Sequence, residues 1–344
     1  MAYHAAVLGA SGYMGAEVLR LLAQHPEIDV GLAAASSNAG AEVRELFPGL
    51  APAYGDLRYG PIDAAAVSGH DVVFCALPHG ESQLLMGELV ATVDHVVDLA
   101  ADFRLPVDVY ARWYGSEHAA PDLVERFAFG LPELFRDDIL ASAHVAAPGC
   151  YPTATLLALA PALAAGVVEP TGIVVDAISG VSGRGRAASI ASLYAEANEN
   201  AVAYGLLGHR HTGEMEHALR RVTGCDVEIA FTPHLVPMTR GILATTHARL
   251  ASGSSTDELL DTYRQFFADA SFVEVVDEPP GTKSTLGSNL ALVTVRVDER
   301  TGSVLAIAAL DNLVKGGSGQ AVQAANLLLG LPETAGLPTV GLAP

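Results

Sequence analysis

The sequence predicts an α/β protein: an N-terminal doubly wound parallel sheet, then a second α+β domain with a mixed sheet. Three observations predict it. A short apolar run, residues 3–8, ends in a glycine turn, Gly9 to Gly15, that opens directly into a helical repeat. Further apolar runs then alternate with helix-like stretches, the pattern of a parallel sheet with right-handed crossovers. Beyond Pro148 apolar runs succeed one another with few helices between them, which suggests an antiparallel or mixed sheet. The expected boundaries are 1–147 for the first domain, completed by about 316–344, and 148–315 for the second.

The elements follow in order. Residues 3–8 read as a strand and 16–24 as a helix, stopped by Pro26. Residues 28–35, 71–77 and 95–99 read as buried strands, with a helix over 80–92. Residues 153–165 read as helical and 173–178 as a strand, which runs into the glycine and serine loop 179–186. A helix opens near Gly208 and runs through Val222. Residues 227–231, 243–250, 290–297 and 304–310 read as strands, and 316–329 as a glycine-rich start to a last helix.

Composition narrows the classes. The 344 residues are half apolar and 17% charged, enough for one or two cores and unlike a disordered chain. Nineteen basic residues against 39 acidic give a formal charge of −20, a field that repels nucleic acid. An anionic small substrate then needs arginines focused in a cleft. The longest uncharged apolar stretch, 152–168, contains Pro161 and is shorter than the roughly 20 residues of a membrane span. No secretory leader pattern opens the chain. Three scattered cysteines, Cys75, Cys150 and Cys225, suit a reduced cytoplasmic compartment and leave room for one catalytic thiol.

Gly9, Gly12 and Gly15 fit G-x-x-G-x-x-G, a variant of the dinucleotide fingerprint. Between a strand and a helix it offers a tight turn and a helix N-terminus to a pyrophosphate, a Rossmann-type site. The second strand ends in Ala35-Ser36-Ser37-Asn38, and no acid precedes Glu42. An NAD site places an acid there for the ribose hydroxyls. Its absence, with Ser36, Ser37 and nearby Arg44, favours NADP.

Cys150 lies in Pro148-Gly149-Cys150-Tyr151-Pro152, with Pro152 suited to the first turn of a helix. A thiol just before a helix N-terminus is shifted toward thiolate, so Cys150 is the candidate nucleophile. Cys75, inside an apolar strand, reads as packing, and Cys225 as a turn residue. His209, Arg210 and His211 open a helix. Thiol chemistry needs a proton donor, and either histidine can serve. The cluster with Glu214, Glu216 and His217 lacks metal-site spacing, and no metal is expected. Arg104, Arg184 and Arg186 sit beside loops, as candidates for phosphate or carboxylate.

These segments together resemble the N-acetyl-γ-glutamyl-phosphate reductase family, NADP-dependent enzymes of arginine biosynthesis. The matching pieces run through nearly the whole chain: GASGYMGAE (9–17), LPHGES (77–82), DLAADFRL (98–105), FGLPE (129–133), PGCYPTA (148–154), SGVSGRGR (179–186), HRHTGEM (209–215), FTPHLVPMTRGI (231–242), GTKSTLGSN (281–289) and DNLVKGGSGQAVQ (311–323). PGCYPTA and FTPHLVPMTRGI are the specific ones. Ala100, Ala147 and Gly213 depart from the expected Ser, Asn and Pro. Ala147 takes away an amide that is a possible oxyanion donor.

The resemblance implies a fold, an activity and a site. Residues 1–147 bind NADPH, and 148–315 carry catalysis and oligomerisation. Cys150 attacks an acyl phosphate and forms a thioester, which is reduced to a semialdehyde. His211 is the first choice of acid and His209 the second. Gly9, Ser11, Gly12, Tyr13, Met14 and Gly15 wrap the pyrophosphate, and Ser36 and Ser37 the 2′-phosphate. Leu77, Pro78, Ser182, Gly183 and Asn312 complete the cofactor site. Arg104, Ser179, Arg184 and Arg210 meet the substrate, with Arg104 and Ser182 on its phosphate. The resemblance also implies a homo-oligomer, a dimer or tetramer. Two rivals stand beside it: the same chemistry on an aspartyl or carrier-linked aminoadipyl phosphate, and a redox-sensing NADP-binding regulator without turnover.

Overall fold

A computed structural model describes residues 2–342 of the chain. They divide into two compact units. One runs up to Pro148 and takes back Gly317–Leu337; the other comprises Gly149–Gly316 and the chain from Pro338.

The first unit is built on a six-stranded sheet, order β2-β1-β3-β4-β6-β5, parallel throughout. Its strands are β1 (Tyr3–Leu8), β2 (Ile28–Ala34), β3 (Val72–Cys75), β4 (His95–Asp98), β5 (Phe127–Phe129) and β6 (His144–Ala146). β3 and β5 are buried along their whole length, so their sequences read as unbroken apolar runs rather than alternating ones. Helices Tyr13–Leu22, Ser82–Thr92 and Pro132–Ala141 follow strands in turn. The last helix, Gly319–Leu328, returns to pack against β4, β6 and helix Pro132–Ala141.

The second unit carries a seven-stranded mixed sheet, order β11-β12-β13-β10-β7-β9-β8. The strands are β7 (Ile173–Ser179), β8 (Val202–Ala203), β9 (Ile229–Leu235), β10 (Ile242–Arg249), β11 (Val273–Val275), β12 (Ala291–Asp298) and β13 (Ser303–Leu310). β7 pairs parallel with β9, while β10, β12 and β13 run antiparallel to their neighbours among themselves and β7. Alternate residues of β7 and β10 are buried beneath helices, and the register places Leu243 opposite Ile178 on the other, half-exposed face. Helix Cys150–Ala164 packs against β10, β12, β13 and helices His211–Thr223 and Thr256–Phe266. It is apolar on every side and buried from Tyr151 to Leu163, as a central helix must be.

Most expected elements are present, with boundaries displaced by a few residues. Helix Cys150–Ala164 begins three residues earlier than expected, so Cys150 is its first residue rather than one just ahead of it. Pro152 falls within the first turn, where its missing N–H costs nothing. β5 and β6 are three residues each, too short for periodicity to expose. The end of the chain departs from the expected 316–344 return: Pro338 C=O accepts from Asn289 N–H, and Leu342 N–H donates to Leu286 C=O, both in the second unit.

Candidate active site

In the first unit the glycine turn does what glycine alone permits. Gly9 has φ +78, and a Cβ there would stand 2.3 Å from the Ala76 carbonyl oxygen. A Cβ on Gly15 would stand 2.4 Å from the Gly9 oxygen, so the helix start is seated directly on the turn. Gly12 caps helix Tyr13–Leu22 with no side-chain acceptor, which leaves its first N–H groups for an anion. Tyr13 is exposed, and Met14 C=O accepts from Ser318 Oγ at 2.8 Å. Ser36 and Ser37 are exposed at the end of β2, and Asn38 Nδ2 donates to Ser11 Oγ at 3.1 Å, joining that loop to the glycine turn. Arg44 is held by Glu42 at 2.7 Å and Asp56 at 3.4 Å. Leu77 is buried and Pro78 exposed just past β3. Arg104 is buried, its guanidinium donating to Leu99 C=O at 2.8 Å.

The second unit assembles the thiol site. Cys150 is half-buried at the N-terminus of helix Cys150–Ala164, where the helix dipole favours thiolate. On one side is Gly316, where a Cβ would lie 2.8 Å from Cys150 Cβ. On another is His211: a Cβ on Gly149 would lie 2.5 Å from its Nε2 and 2.8 Å from its Cε1. The fully buried Glu214 carboxyl accepts the Gly149 N–H at 3.0 Å and stands 3.9 Å from His211 Nε2. His211 and Glu214 are three apart at the start of helix His211–Thr223, hence on one face.

His209 occupies a different environment. Its ring lies among Tyr151, Tyr204, His211 and Phe231, with centroids 4.8–5.9 Å away. Its Nδ1 accepts the His211 backbone N–H at 3.3 Å. Burial, reinforced by the charge of Arg210, lowers its pKa to about 4 and keeps it neutral. Of the two histidines, His211 is the one seated on the residue before the thiol, while His209 helps to close the helix start.

Other predicted residues gather around the loop after β7. Ser179 is buried, its hydroxyl donating to Gly180 C=O at 3.0 Å, and a Cβ on Gly183 would meet that hydroxyl at 2.9 Å. Asn312 spans the loop: its Nδ2 donates to Ser182 Oγ at 3.0 Å and its Oδ1 accepts from Gly241 N–H at 2.7 Å. Both ends of that amide are thus engaged within the second unit. Arg184 lies over the Tyr204 ring, 5.1 Å from its centroid, and Arg210 is half-buried as the residue before helix His211–Thr223.

The family description "Semialdehyde dehydrogenase, NAD binding domain" matches residues 4–142, and "Semialdehyde dehydrogenase, dimerisation domain" matches residues 150–312. A relative from Symbiobacterium thermophilum, named N-acetyl-gamma-glutamyl-phosphate reductase, is 48% identical over 99% of both chains. The chain belongs to the N-acetyl-gamma-glutamyl-phosphate reductase family. A reductase of the same name from Pseudomonas aeruginosa is 44% identical over 98% of each chain. The fold is shared more widely. Aspartate semialdehyde dehydrogenase II from Vibrio cholerae superposes with a TM-score of 0.73 at 18% identity, covering 96% of this chain and 99% of its own. The enzyme from Candida albicans, solved with NADP, gives 0.71 at 16%, covering 95% and 98%.

Seen as a reductase site, some partners were open to sequence reasoning and some were not. Glu214 stands three residues after His211 on a helix, so its proximity was readable from spacing alone. Gly149 and Gly316 act by having no side chain, and nothing local marks them as neighbours of Cys150 or His211. Tyr151 and Tyr204 join through their hydroxyls at 3.2 Å, and Tyr151 Oη donates on to His234 C=O at 3.1 Å. Burial pushes both phenols up, so they stay protonated beside the site.

Proposed function

We infer that this chain is an NADPH-dependent oxidoreductase that converts N-acetyl-γ-glutamyl phosphate to N-acetyl-glutamate 5-semialdehyde and phosphate, a step of arginine biosynthesis. The names of its relatives and the nucleotide-binding family match support the reaction. The observation that carries the mechanism is Cys150 at a helix N-terminus with His211 seated against the residue before it.

The first unit fits a dinucleotide. The glycine turn admits backbone next to a pyrophosphate, the uncapped helix start offers N–H groups, and the serines at the end of β2 leave a 2′-phosphate unopposed by any acid. Gly9, Ser11, Gly12, Tyr13, Met14, Gly15, Ser36 and Ser37 hold it, with Leu77 and Pro78 beyond β3. NADPH, when bound, supplies the hydride.

The chain's own residues do the rest. The Cys150 thiolate attacks the acyl carbon, and phosphate leaves as a thioester forms. Splitting the reaction lets one nucleophile be regenerated each cycle. After reduction, the thiohemiacetal oxygen carries negative charge, which His211 neutralises with a proton and removes again as the carbon–sulfur bond breaks. Glu214 orients His211 and fixes the Gly149 N–H, while neutral His209 closes the helix start. Ser179, Arg184 and Arg210 meet the substrate and Arg104 and Ser182 its phosphate, while Ser182, Gly183 and Asn312 complete the cofactor site.

The open face of the seven-stranded sheet, with Val174, Ile178, Leu243, Leu305 and Ile307 exposed or half-buried, supports a homo-oligomer built on a second copy of that sheet. The free cysteines suit the cytoplasm. The test of activity is phosphate-dependent reduction of NADP⁺ with N-acetyl-glutamate semialdehyde. A flat trace refutes the assignment, and faster turnover of the aspartyl or aminoadipyl analogue would move it to a related acyl phosphate.

A further inference from the structure

Two carboxyl groups in the first unit share one hydroxyl. Asp98 ends β4 and Asp102 follows in the next turn, and both are fully buried. Ser82 Oγ, at the start of helix Ser82–Thr92, lies 3.2 Å from Asp98 Oδ2 and 2.8 Å from Asp102 Oδ2. A serine hydroxyl owns one proton and can donate to only one of them. If both acids were ionised, the other contact would set two lone pairs face to face in a dry interior, a costly arrangement.

The remaining donors identify which acid is ionised. Asp102 accepts from Gly80 N–H at 2.8 Å on each oxygen, from Tyr110 Oη at 3.0 Å and from Gln83 N–H at 3.4 Å. Asp98 accepts the Ala100 N–H at 3.1 Å and the weak donor of the Cys75 thiol. Asp102 therefore holds the charge, and Ser82 donates to it. The contact between Asp98 and Ser82 is satisfied only by a proton on Asp98 that donates to Ser82 Oγ.

We propose that Asp98 is a neutral carboxylic acid on the acid side of neutrality, and that its proton, relayed through Ser82 to Asp102, positions the Leu77–Ser82 segment for the nucleotide and is released on the alkaline side. The nucleotide half of this proposal rests on the reading that Leu77 and Pro78 meet the cofactor.

The surroundings agree. Burial, then the charge of Asp102, raises the Asp98 pKa to about 7. The Cys75 thiol on β3 pairs in register with Asp98, and burial keeps it protonated. Arg104 favours ionisation of Asp98, and its guanidinium also donates to Leu99 C=O at 2.8 Å. On the far side β6 presents Ala146, and helix Gly319–Leu328, also packed on β4, has no ionisable side chain. The sign follows from linkage. The native state keeps a proton that the unfolded chain gives up near pH 4, so stability falls as pH rises from about 4 to 7, and the whole cost is present above that.

The segment at stake is short. Gly80, Ser82 and Gln83 are all tied to Asp102, and Leu77 and Pro78 immediately precede them. A second charge on Asp98 turns the Ser82 hydroxyl into a contested donor and loosens that tether.

Difference infrared spectra of the unliganded wild type against Asp98→Asn test the proton directly. A buried carboxylic-acid carbonyl band at pH 6, absent from the variant and lost by about pH 8–9, is expected. No such band at pH 6 means an ionised Asp98 and overturns the proposal. NADPH affinity, measured by fluorescence titration, tests the consequence. The wild type should bind roughly tenfold more weakly at pH 9 than at pH 6. Asp98→Asn, whose amide donates to Ser82 as the acid does, should bind as the wild type does at pH 6 and lose that pH dependence. Equal pH profiles for the two proteins overturn the proposal. Absence of NADPH binding at every pH strikes instead at the reading of the first unit, and the infrared result stands apart from it.

Discussion

Adding a single methyl group at Gly149 tests the core of the mechanism. Gly149 has φ −68 and ψ 158, a backbone that alanine adopts without strain, so the variant perturbs nothing through conformation. The new Cβ, however, would stand 2.5 Å from His211 Nε2, 2.8 Å from Cε1 and 3.0 Å from Cδ2. Ordinary contact is about 3.5 Å, so the imidazole must retreat by roughly 1 Å. Misplacement on that scale costs about a hundredfold in rate, near 2.7 kcal/mol of barrier. The fold should lose no more than about 1–3 kcal/mol, as overpacked sites do. Steady-state kcat gives the first number, and thermal unfolding the second. NADPH titration should be unchanged, since neither Gly149 nor His211 is among the residues assigned to the nucleotide. The decisive comparison is a double variant: if the methyl acts through His211, Gly149→Ala with His211→Asn is no slower than His211→Asn alone. A Gly149→Ala enzyme that keeps kcat within about threefold of wild type would falsify the placement of His211 beside the thiol.

Other outcomes follow from the same geometry. Cys150→Ser should lose more than about a thousandfold in kcat with NADPH binding intact, while Cys75→Ala and Cys225→Ala retain turnover; a tenth of activity left in Cys150→Ser removes the nucleophile assignment. His211→Asn should slow turnover by about a hundred to ten thousandfold, and His209→Asn should act mainly on thermal stability, the reverse order exchanging their roles. The native enzyme should prefer NADPH over NADH by at least about tenfold in kcat/KM, near 1.4 kcal/mol, and Ser36→Asp should narrow or invert that ratio; equal use of both cofactors contradicts the reading of the β2 loop. Because His209 is held at about 4 against an ordinary value near 6.5, the unfolded chain takes up a proton first, and stability should drop by up to about 3 kcal/mol as pH falls from 6.5 to 4. Denaturant titrations across that range should show a smaller drop in His209→Asn.

What the sequence disclosed depended on whether a residue acts locally. The glycine turn, the strand before it and the helix after it are contiguous, so seven residues carried the whole signal. Cys150 was legible because Pro152 fixes a helix start nearby, although proline tolerates several first-turn positions and left the boundary three residues loose. The serines at the end of β2 were readable as an absence of acid. By contrast, β5 and β6 pass through the first unit in three residues each, below the length at which any period appears. His209 and His211 are chemically alike in sequence and were separated only by what surrounds them: Tyr204 and Phe231 around one, Gly149 beneath the other. Asp98 fell within the 95–99 run read as a buried strand, and no local pattern paired it with Asp102. Their sharing of one proton depends on Ser82, sixteen residues before Asp98, reaching the same point.

Helix Cys150–Ala164 has a consequence for how such a site diversifies. Every side chain from Tyr151 to Leu163 is buried, and Tyr263 Oη donates to the Ala158 carbonyl midway along it. Its amides should be among the slowest in the protein to exchange with solvent, opening only when the whole unit does. The proposed nucleophile, Cys150, is thus mounted on the part of the molecule least able to drift. Sequence change can then work on the Ser179–Arg186 loop, where Arg184 and Arg186 are exposed, without moving the sulfur. On the proposed mechanism, selectivity among acyl phosphates and the geometry of attack are written in separable stretches of chain, so one can be retuned by mutation while the other is left as it is.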